Sequence, residues 1–128
     1  MLIFCDGVFD LFHSGHINHF KKIKEMFLDS TLFVGVLNDN EATDYKRQPI
    51  FNEQKRLSLV NSCKYVDEAT LNYPSILTEE FISKHKIDLV VHAFSNKNDY
   101  EKQLDFYEVP IRLNKMKVID YNEGISNT

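Results

Sequence analysis

The sequence predicts an α/β fold: one Rossmann-like, doubly wound domain over residues 1–128, with a five-strand, mainly parallel sheet. Three observations carry this expectation. Short apolar runs recur at residues 2–5, 31–37 and 87–92 and read as buried strands. Amphipathic stretches of helical period separate them, the spacing of βαβ units around a parallel sheet covered on both faces. The chain has 128 residues, 43% of them hydrophobic, enough to bury a core without disulfide staples.

The elements follow in order. Leu2-Ile3-Phe4-Cys5 is the first strand, ended by a turn at Asp6-Gly7. Residues 16–28 form a helix, with Ile17, Phe20, Ile23 and Phe27 on one face. Residues 31–37 are rich in β-branched and aromatic side chains and form the second strand. A polar loop is expected from Asn38 to about Gln48. Asn52 then caps a helix whose apolar face carries Leu57, Val60 and Cys63. Tyr65-Val66 reads as a short third strand. Thr78 caps a helix with Glu79 and Glu80 in its first turn, where acidic side chains suit the helix dipole. Residues 87–92 are the fourth strand. A helix around 99–107 is expected to stop before Pro110, and Lys117-Val118-Ile119 closes the sheet.

Composition removes several function classes. Fifteen basic and nineteen acidic residues give a formal charge of −4, unlike the basic surface of a general nucleic-acid binder. Positive charge that meets an anionic ligand must therefore be local. Cys5 and Cys63 lack both metal-pair spacing and the density of a disulfide framework, and read as reduced core thiols. No apolar run approaches the ~20 residues that cross a bilayer. A soluble, cytoplasmic protein is expected.

In a doubly wound sheet, ligands bind beyond the carboxyl ends of the strands, near the switch in strand order. The turn after the first strand, the loop after the second, the segment from His92 onward and the final residues should converge there. The strongest local signal lies in the first of these, Asp6-Gly7-Val8-Phe9-Asp10-Leu11-Phe12-His13-Ser14-Gly15-His16. Gly7 lets backbone approach a ligand, and a helix beginning near His16 offers free N–H groups and a positive dipole end. His13 and His16 are delivered to the same spot, where imidazoles can donate to phosphate oxygens. Two other readings remain open. The histidines could be ordinary polar residues at a helix start, or His16 and His19 could be metal ligands at x-x spacing.

The eleven-residue string resembles the GxFDxxHxGH signature of the cytidylyltransferases, the family of phosphocholine, phosphoethanolamine and glycerol-3-phosphate cytidylyltransferases. Further segments are similar to the family's motifs in the same order: Asn52-Glu53-Gln54-Lys55-Arg56, Cys63-Lys64-Tyr65-Val66-Asp67-Glu68, Lys84-His85-Lys86-Ile87-Asp88 and Glu123-Gly124-Ile125-Ser126. The resemblance implies a sheet of the HxGH nucleotidyltransferase type and cytidylyl transfer from CTP, accompanied by Mg²⁺, to a small phosphomonoester, with release of pyrophosphate. It implies catalytic roles for His13, His16 and Lys46. It places Gly7, Val8, Phe9, Asp10, Gly15, Arg56, His92 and residues Tyr121, Asn122, Glu123, Gly124, Ile125 and Ser126 at the nucleotide. Lys46, Arg56 and His92 also have plain readings, as a solvated lysine, a helix-surface arginine and a strand-end histidine. No metal site in the protein itself is expected. By analogy with the family, the segment 65–68 suggests a homodimer.

Departures from the pattern bear on the acceptor. Tyr121 stands where the family has an arginine before its T-E-G-I-S core, removing a bidentate cation. The positions that hold choline in the choline branch, a tryptophan, an aspartate and a tyrosine, read Ser75, Ala93 and Lys97 here. Phosphocholine is therefore disfavoured. Ser75, Phe94, Lys97 and Lys46 become the candidate acceptor residues. Two alternatives stay in view, a nucleotide-binding protein without turnover and an adenylyltransferase of the same superfamily.

Overall fold

The computed structural model describes residues 1–45, 48–94 and 96–119. Strands and helices alternate: β1 (Leu2–Gly7), α1 (Ser14–Met26), β2 (Thr31–Val36), α2 (Asp39–Tyr45), α3 (Glu53–Asn61), β3 (Glu68–Thr70), α4 (Glu79–Lys84), β4 (Leu89–His92), α5 (Lys97–Gln103), a 3-10 turn (Leu104–Tyr107), α6 (Glu108–Arg112) and β5 (Met116–Val118). The sheet order is β3-β2-β1-β4-β5, and every neighbouring pair is parallel. The order reverses between β1 and β4, so the ligand crevice of such a sheet opens beyond Gly7 and His92.

Side chains of the central strands alternate between two cores. Ile3 and Cys5 of β1, Leu32, Val34 and Val36 of β2 and Val91 of β4 face Phe20 and Ile23 of α1 and Val60 of α3. Phe4, Phe33 and Val90 point the other way, against Phe81 and Ile82 of α4 and Tyr107. Phe4 is fully buried and meets Phe33, Tyr73 and Phe81 edge-on with ring centroids 5.2–5.5 Å apart. Burial of one such ring contributes roughly 2–3 kcal/mol, and edge contacts add about 1 kcal/mol each. This packing leaves no room at Gly35, where a Cβ would lie 2.7 Å from Phe4 Cζ and 2.8 Å from the Tyr73 ring. The close approach of two aromatic rings to β2 requires the glycine.

Four expectations are corrected. The third strand is Glu68–Thr70 rather than Tyr65-Val66. Asp67 ends the approach to it, its carboxylate accepting from Leu32 N–H at 2.7 Å while its own N–H donates to Leu32 O at 3.0 Å. The polar stretch after β2 contains a helix, α2, which buries Ala42 against the second core. α1 begins two residues before His16, and Ile17 stays 36% exposed while Phe20 and Ile23 are buried. Helical structure also continues through Pro110, which lies in the first turn of α6 where its missing N–H costs nothing. The Phe106 carbonyl that an ordinary residue there would engage accepts from Leu77 N–H at 3.0 Å. Among the described residues, no helix is long and apolar enough to cross a membrane.

Candidate active site

The chain leaves β1 into a loop that two left-handed residues force to turn sharply, Phe9 at φ 56° and Leu11 at φ 50°. Neither is glycine, so the conformation carries strain that surrounding contacts must hold. Phe9 is held by burying its ring against Phe20 and His16. A Cβ on Gly7 would lie 3.0 Å from that ring. Asp10 is held through its carboxylate, which accepts from Ile50 N–H at 2.8 Å and Phe51 N–H at 3.0 Å. Burial pushes the Asp10 carboxyl up, but the amides of Phe51, Ile50 and Leu11 and the Arg56 charge outweigh it and keep the group ionised. Phe9 and Asp10 therefore shape the loop with their side chains.

His13 caps α1 in a reciprocal arrangement. Gly15 N–H donates to His13 Nδ1 at 2.9 Å, and His13 N–H donates to His16 Nδ1 at 3.2 Å. Both Nδ1 atoms act as acceptors, so in each neutral ring the hydrogen sits on Nε2. The rings lie 4.2 Å apart, with His16 stacked on Phe12 at 5.3 Å. Burial, then the charges of His13 and His19, hold the His16 imidazole down at about 4, so it is neutral at pH 7. The expectation of free amides at this helix start is corrected for Gly15, His16 and Ile17. Gly15 N–H goes to the His13 ring, and His16 and Ile17 N–H close onto His13 O. The helix end instead couples to the rings, because an amide donating to Nδ1 polarises the Nε2–H opposite.

Arg56 is not the helix-surface arginine of the plain reading but is fully buried. Its Nε donates to Phe51 O at 3.0 Å, Nη1 to Val8 O at 2.9 Å and Leu37 O at 2.6 Å, and Nη2 to Asp39 Oδ1 at 2.7 Å. One planar cation thereby ties together the loop after β1, the end of β2 and the start of α3. Glu53 adds to the tie by accepting from Asp39 N–H at 2.9 Å. Arg56 thus holds the Val8 carbonyl in place.

His92, at the end of β4, belongs to a polar chain that sequence reasoning missed. Asp6 accepts from Tyr73 OH at 3.0 Å and Tyr107 OH at 2.7 Å. Tyr107 Oη also meets His92 Nδ1 at 3.0 Å, His92 Nε2 meets Gln103 Oε1 at 3.1 Å, and Gln103 Nε2 donates to Asp99. Burial pushes the Asp6 carboxyl up to about 6 against the opposing pull of the two tyrosine hydroxyls. The partners are 67 and 101 residues from Asp6, beyond any local pattern. The buried tyrosines themselves were the available signal, since a buried phenol needs a partner.

Phe94 lies edge-on to His92 at 4.7 Å and to Tyr100 at 5.1 Å, beside this chain. Ser75 is half-buried after β3, while Lys97 is exposed at the start of α5. Lys46, Tyr121, Asn122, Glu123, Gly124, Ile125 and Ser126 lie outside the described residues. Among the described residues, no group of three or more His, Cys, Asp or Glu side chains is placed to hold a metal ion, so the His16/His19 metal reading gains nothing. Asp6 and Asp10 are already engaged by hydroxyls and amides.

The chain matches the cytidylyltransferase-like family over residues 4–127. It is 36% identical over 127 residues, 98% of its length, to choline-phosphate cytidylyltransferase 2 of Arabidopsis thaliana, and spans 42% of that protein. It is 36% identical over 98% of its length to ethanolamine-phosphate cytidylyltransferase of Dictyostelium discoideum, spanning 34% of it. It is 42% identical over 70% of its length to choline-phosphate cytidylyltransferase A of Homo sapiens, spanning 24% of it. Among solved structures, it is similar to the lipopolysaccharide core biosynthesis protein from Thermoplasma volcanium GSS1, with TM-score 0.72, 28% identity and coverage of 95% and 96% of the two chains. The all-parallel five-strand sheet agrees with these likenesses, and the chain belongs to the cytidylyltransferase-like family.

Proposed function

We propose that the protein transfers a cytidylyl group from CTP to a small phosphomonoester. An acceptor phosphate oxygen attacks the α-phosphorus, the α–β bridging bond breaks, and pyrophosphate leaves. A phosphomonoester is largely ionised near neutral pH, its second pKa being about 6, so the reaction needs no strong base. It needs positioning and donors aimed at the charge that grows on phosphate oxygens. The observation that carries the reading is the reciprocal His13–His16 cap, which leaves each neutral ring its Nε2–H to donate at the end of β1. The family match and the relatives' names favour CTP and a phosphate-bearing acceptor.

Mg²⁺ enters in this reading on the triphosphate, as part of the substrate. Lys46 is assigned to phosphate contact with both substrates, and residues 121–126 to the nucleotide. A cytoplasmic homodimer formed around the 65–68 segment belongs to the same reading. Ser75, Ala93 and Lys97 offer no fixed aromatic or anionic cage, which favours an acceptor without a quaternary ammonium.

The test incubates the protein with CTP or ATP, Mg²⁺ and a panel of phosphomonoesters, and follows pyrophosphate release. Release with CTP alone, lost in His13→Ala and His16→Ala, is expected. CTP binding without release for any acceptor would support a binding-only protein, a reading favoured by Tyr121 in place of the family arginine. Release with ATP would move the assignment to adenylyl transfer.

A further inference from the structure

A histidine donates in one direction only if its ring is held still, and the torsion that turns an imidazole is soft, with broad, nearly two-fold wells. The hydrogen bond from His13 N–H to His16 Nδ1, at 3.2 Å, anchors one edge of the His16 ring and leaves its plane to tilt. Aromatic contacts fix that plane. Phe12 lies flat against His16, with centroids 5.3 Å apart and planes 8° from parallel. Phe9 meets the imidazole edge-on at 5.5 Å and 81°, and the His13 ring lies 4.2 Å away. Phe12 is itself braced, since its ring stacks at 6.1 Å on Phe20, which is fully buried in the first core. A packed path therefore runs from the core through Phe12 to the imidazole. Phe12 falls at an unspecified position of the GxFDxxHxGH signature, so the resemblance gives it no role.

We propose that Phe12 is a positioning residue whose ring holds the His16 imidazole in one plane, so that its Nε2–H keeps a single direction. The same ring keeps water from one face of the imidazole. Burial is the first cause that holds His16 down at about 4, ahead of the charges of His13 and His19, the titratable groups facing it. An imidazolium carries hydrogen on both nitrogens and cannot accept the His13 N–H, so protonation of His16 would open the cap. Phe12 thus preserves both the direction of the donor and the neutral ring that the cap requires. The effect on turnover rests on the proposed CTP reading, whereas the holding of the ring does not.

The test compares Phe12→Leu, Phe12→Ala and Phe12→Tyr with the wild type in the labelled full chain. Leucine keeps apolar cover without a flat face, alanine removes both, and tyrosine restores the ring. Order of the His16 ring is read from ¹³C relaxation at Cδ2 and Cε1, with His16→Gln used for assignment. The wild-type ring should be as ordered as rigid backbone, S² about 0.85, and should fall below about 0.6 in Phe12→Leu. Phe12→Ala should also raise the His16 titration toward its ordinary value by about one pH unit or more, while Phe12→Leu leaves it near that of the wild type. With CTP, Mg²⁺ and the phosphomonoester that gives the fastest pyrophosphate release, Phe12→Leu should lower kcat by roughly 10–100-fold with little change in KM for CTP. Phe12→Tyr should recover both ring order and kcat. A mobile His16 ring in the wild type overturns the proposal even if every variant fails to fold, and so does a ring equally ordered in the wild type and Phe12→Leu. If ring order falls in Phe12→Leu while kcat holds, the role in turnover is refuted. If ring order falls but CTP moves neither His13 nor His16 signals and no acceptor yields pyrophosphate, the CTP reading fails and the holding of the ring stands.

Discussion

Arg56→Lys keeps the positive charge but loses the planar fork. An ammonium on a flexible stem cannot reach the Val8, Leu37 and Phe51 carbonyls from one position as the guanidinium does. At least two of those carbonyls lose their partner, and an orphaned buried acceptor costs about 1–3 kcal/mol, so a total loss of about 3 kcal/mol is expected. The Asp39 contact adds little to this figure, because that carboxylate is 41% exposed and its pairing is screened. For a domain of this size, each kcal/mol moves Tm by about 4 °C, which places the drop near 12 °C. Thermal unfolding followed by circular dichroism reads it, and CTP affinity should fall alongside, since Val8 sits in the candidate phosphate loop. A lysine variant within about 1 kcal/mol of wild type, a Tm change under about 4 °C, would refute the view that Arg56 holds these loops together.

Other outcomes follow from the same geometry. His16→Ala should lower turnover by about 10²–10³-fold if its Nε2–H meets developing charge, while a lost cap costs only about 1 kcal/mol of stability; steady-state kinetics and melting curves separate the two effects. Gly35→Ala drives a methyl into Phe4 and Tyr73 and should destabilise by about 1–3 kcal/mol, read by urea unfolding. Stability should also fall with acid. Burial holds His16 and His19 down at about 4, so the unfolded chain, with ordinary values near 6.5, takes up protons first as pH drops. Their contribution is complete above 6.5 and is lost toward 4, roughly 2 kcal/mol each after allowing for part exposure. Asp6 opposes them, because a carboxyl raised to about 6 stabilises below 3.8 and loses that contribution as pH rises through 6. Urea titrations of His16→Gln and Asp6→Asn should show slopes changed in opposite directions.

The central sheet was legible because β1, β2 and β4 are buried on both faces and their apolar runs are continuous. Edges and surfaces were not. β3 has three residues and packs on one neighbour, so its position depends on the Asp67–Leu32 contacts rather than on its own composition. α2 is mostly polar, with Ala42 buried against the second core, so its sequence looks like a loop. α6 continues through Pro110 because Leu77, 29 residues before Phe106, supplies the hydrogen bond that proline cannot. In the site, His13 and His16 were visible because the motif is contiguous. The burial of Arg56 was not, since its partners come from three separate segments. Asp6, Tyr73, Tyr107 and Gln103 meet only through tertiary packing, and no spacing within the chain announces them.

The most direct measurement is a crystal structure of the protein with a non-hydrolysable CTP analogue and Mg²⁺. Phosphate oxygens are expected within hydrogen-bond distance of Nε2 in both His13 and His16, with each Nδ1 still accepting its backbone N–H. A triphosphate bound away from these rings, or rings turned so that Nδ1 faces the ligand, would contradict it.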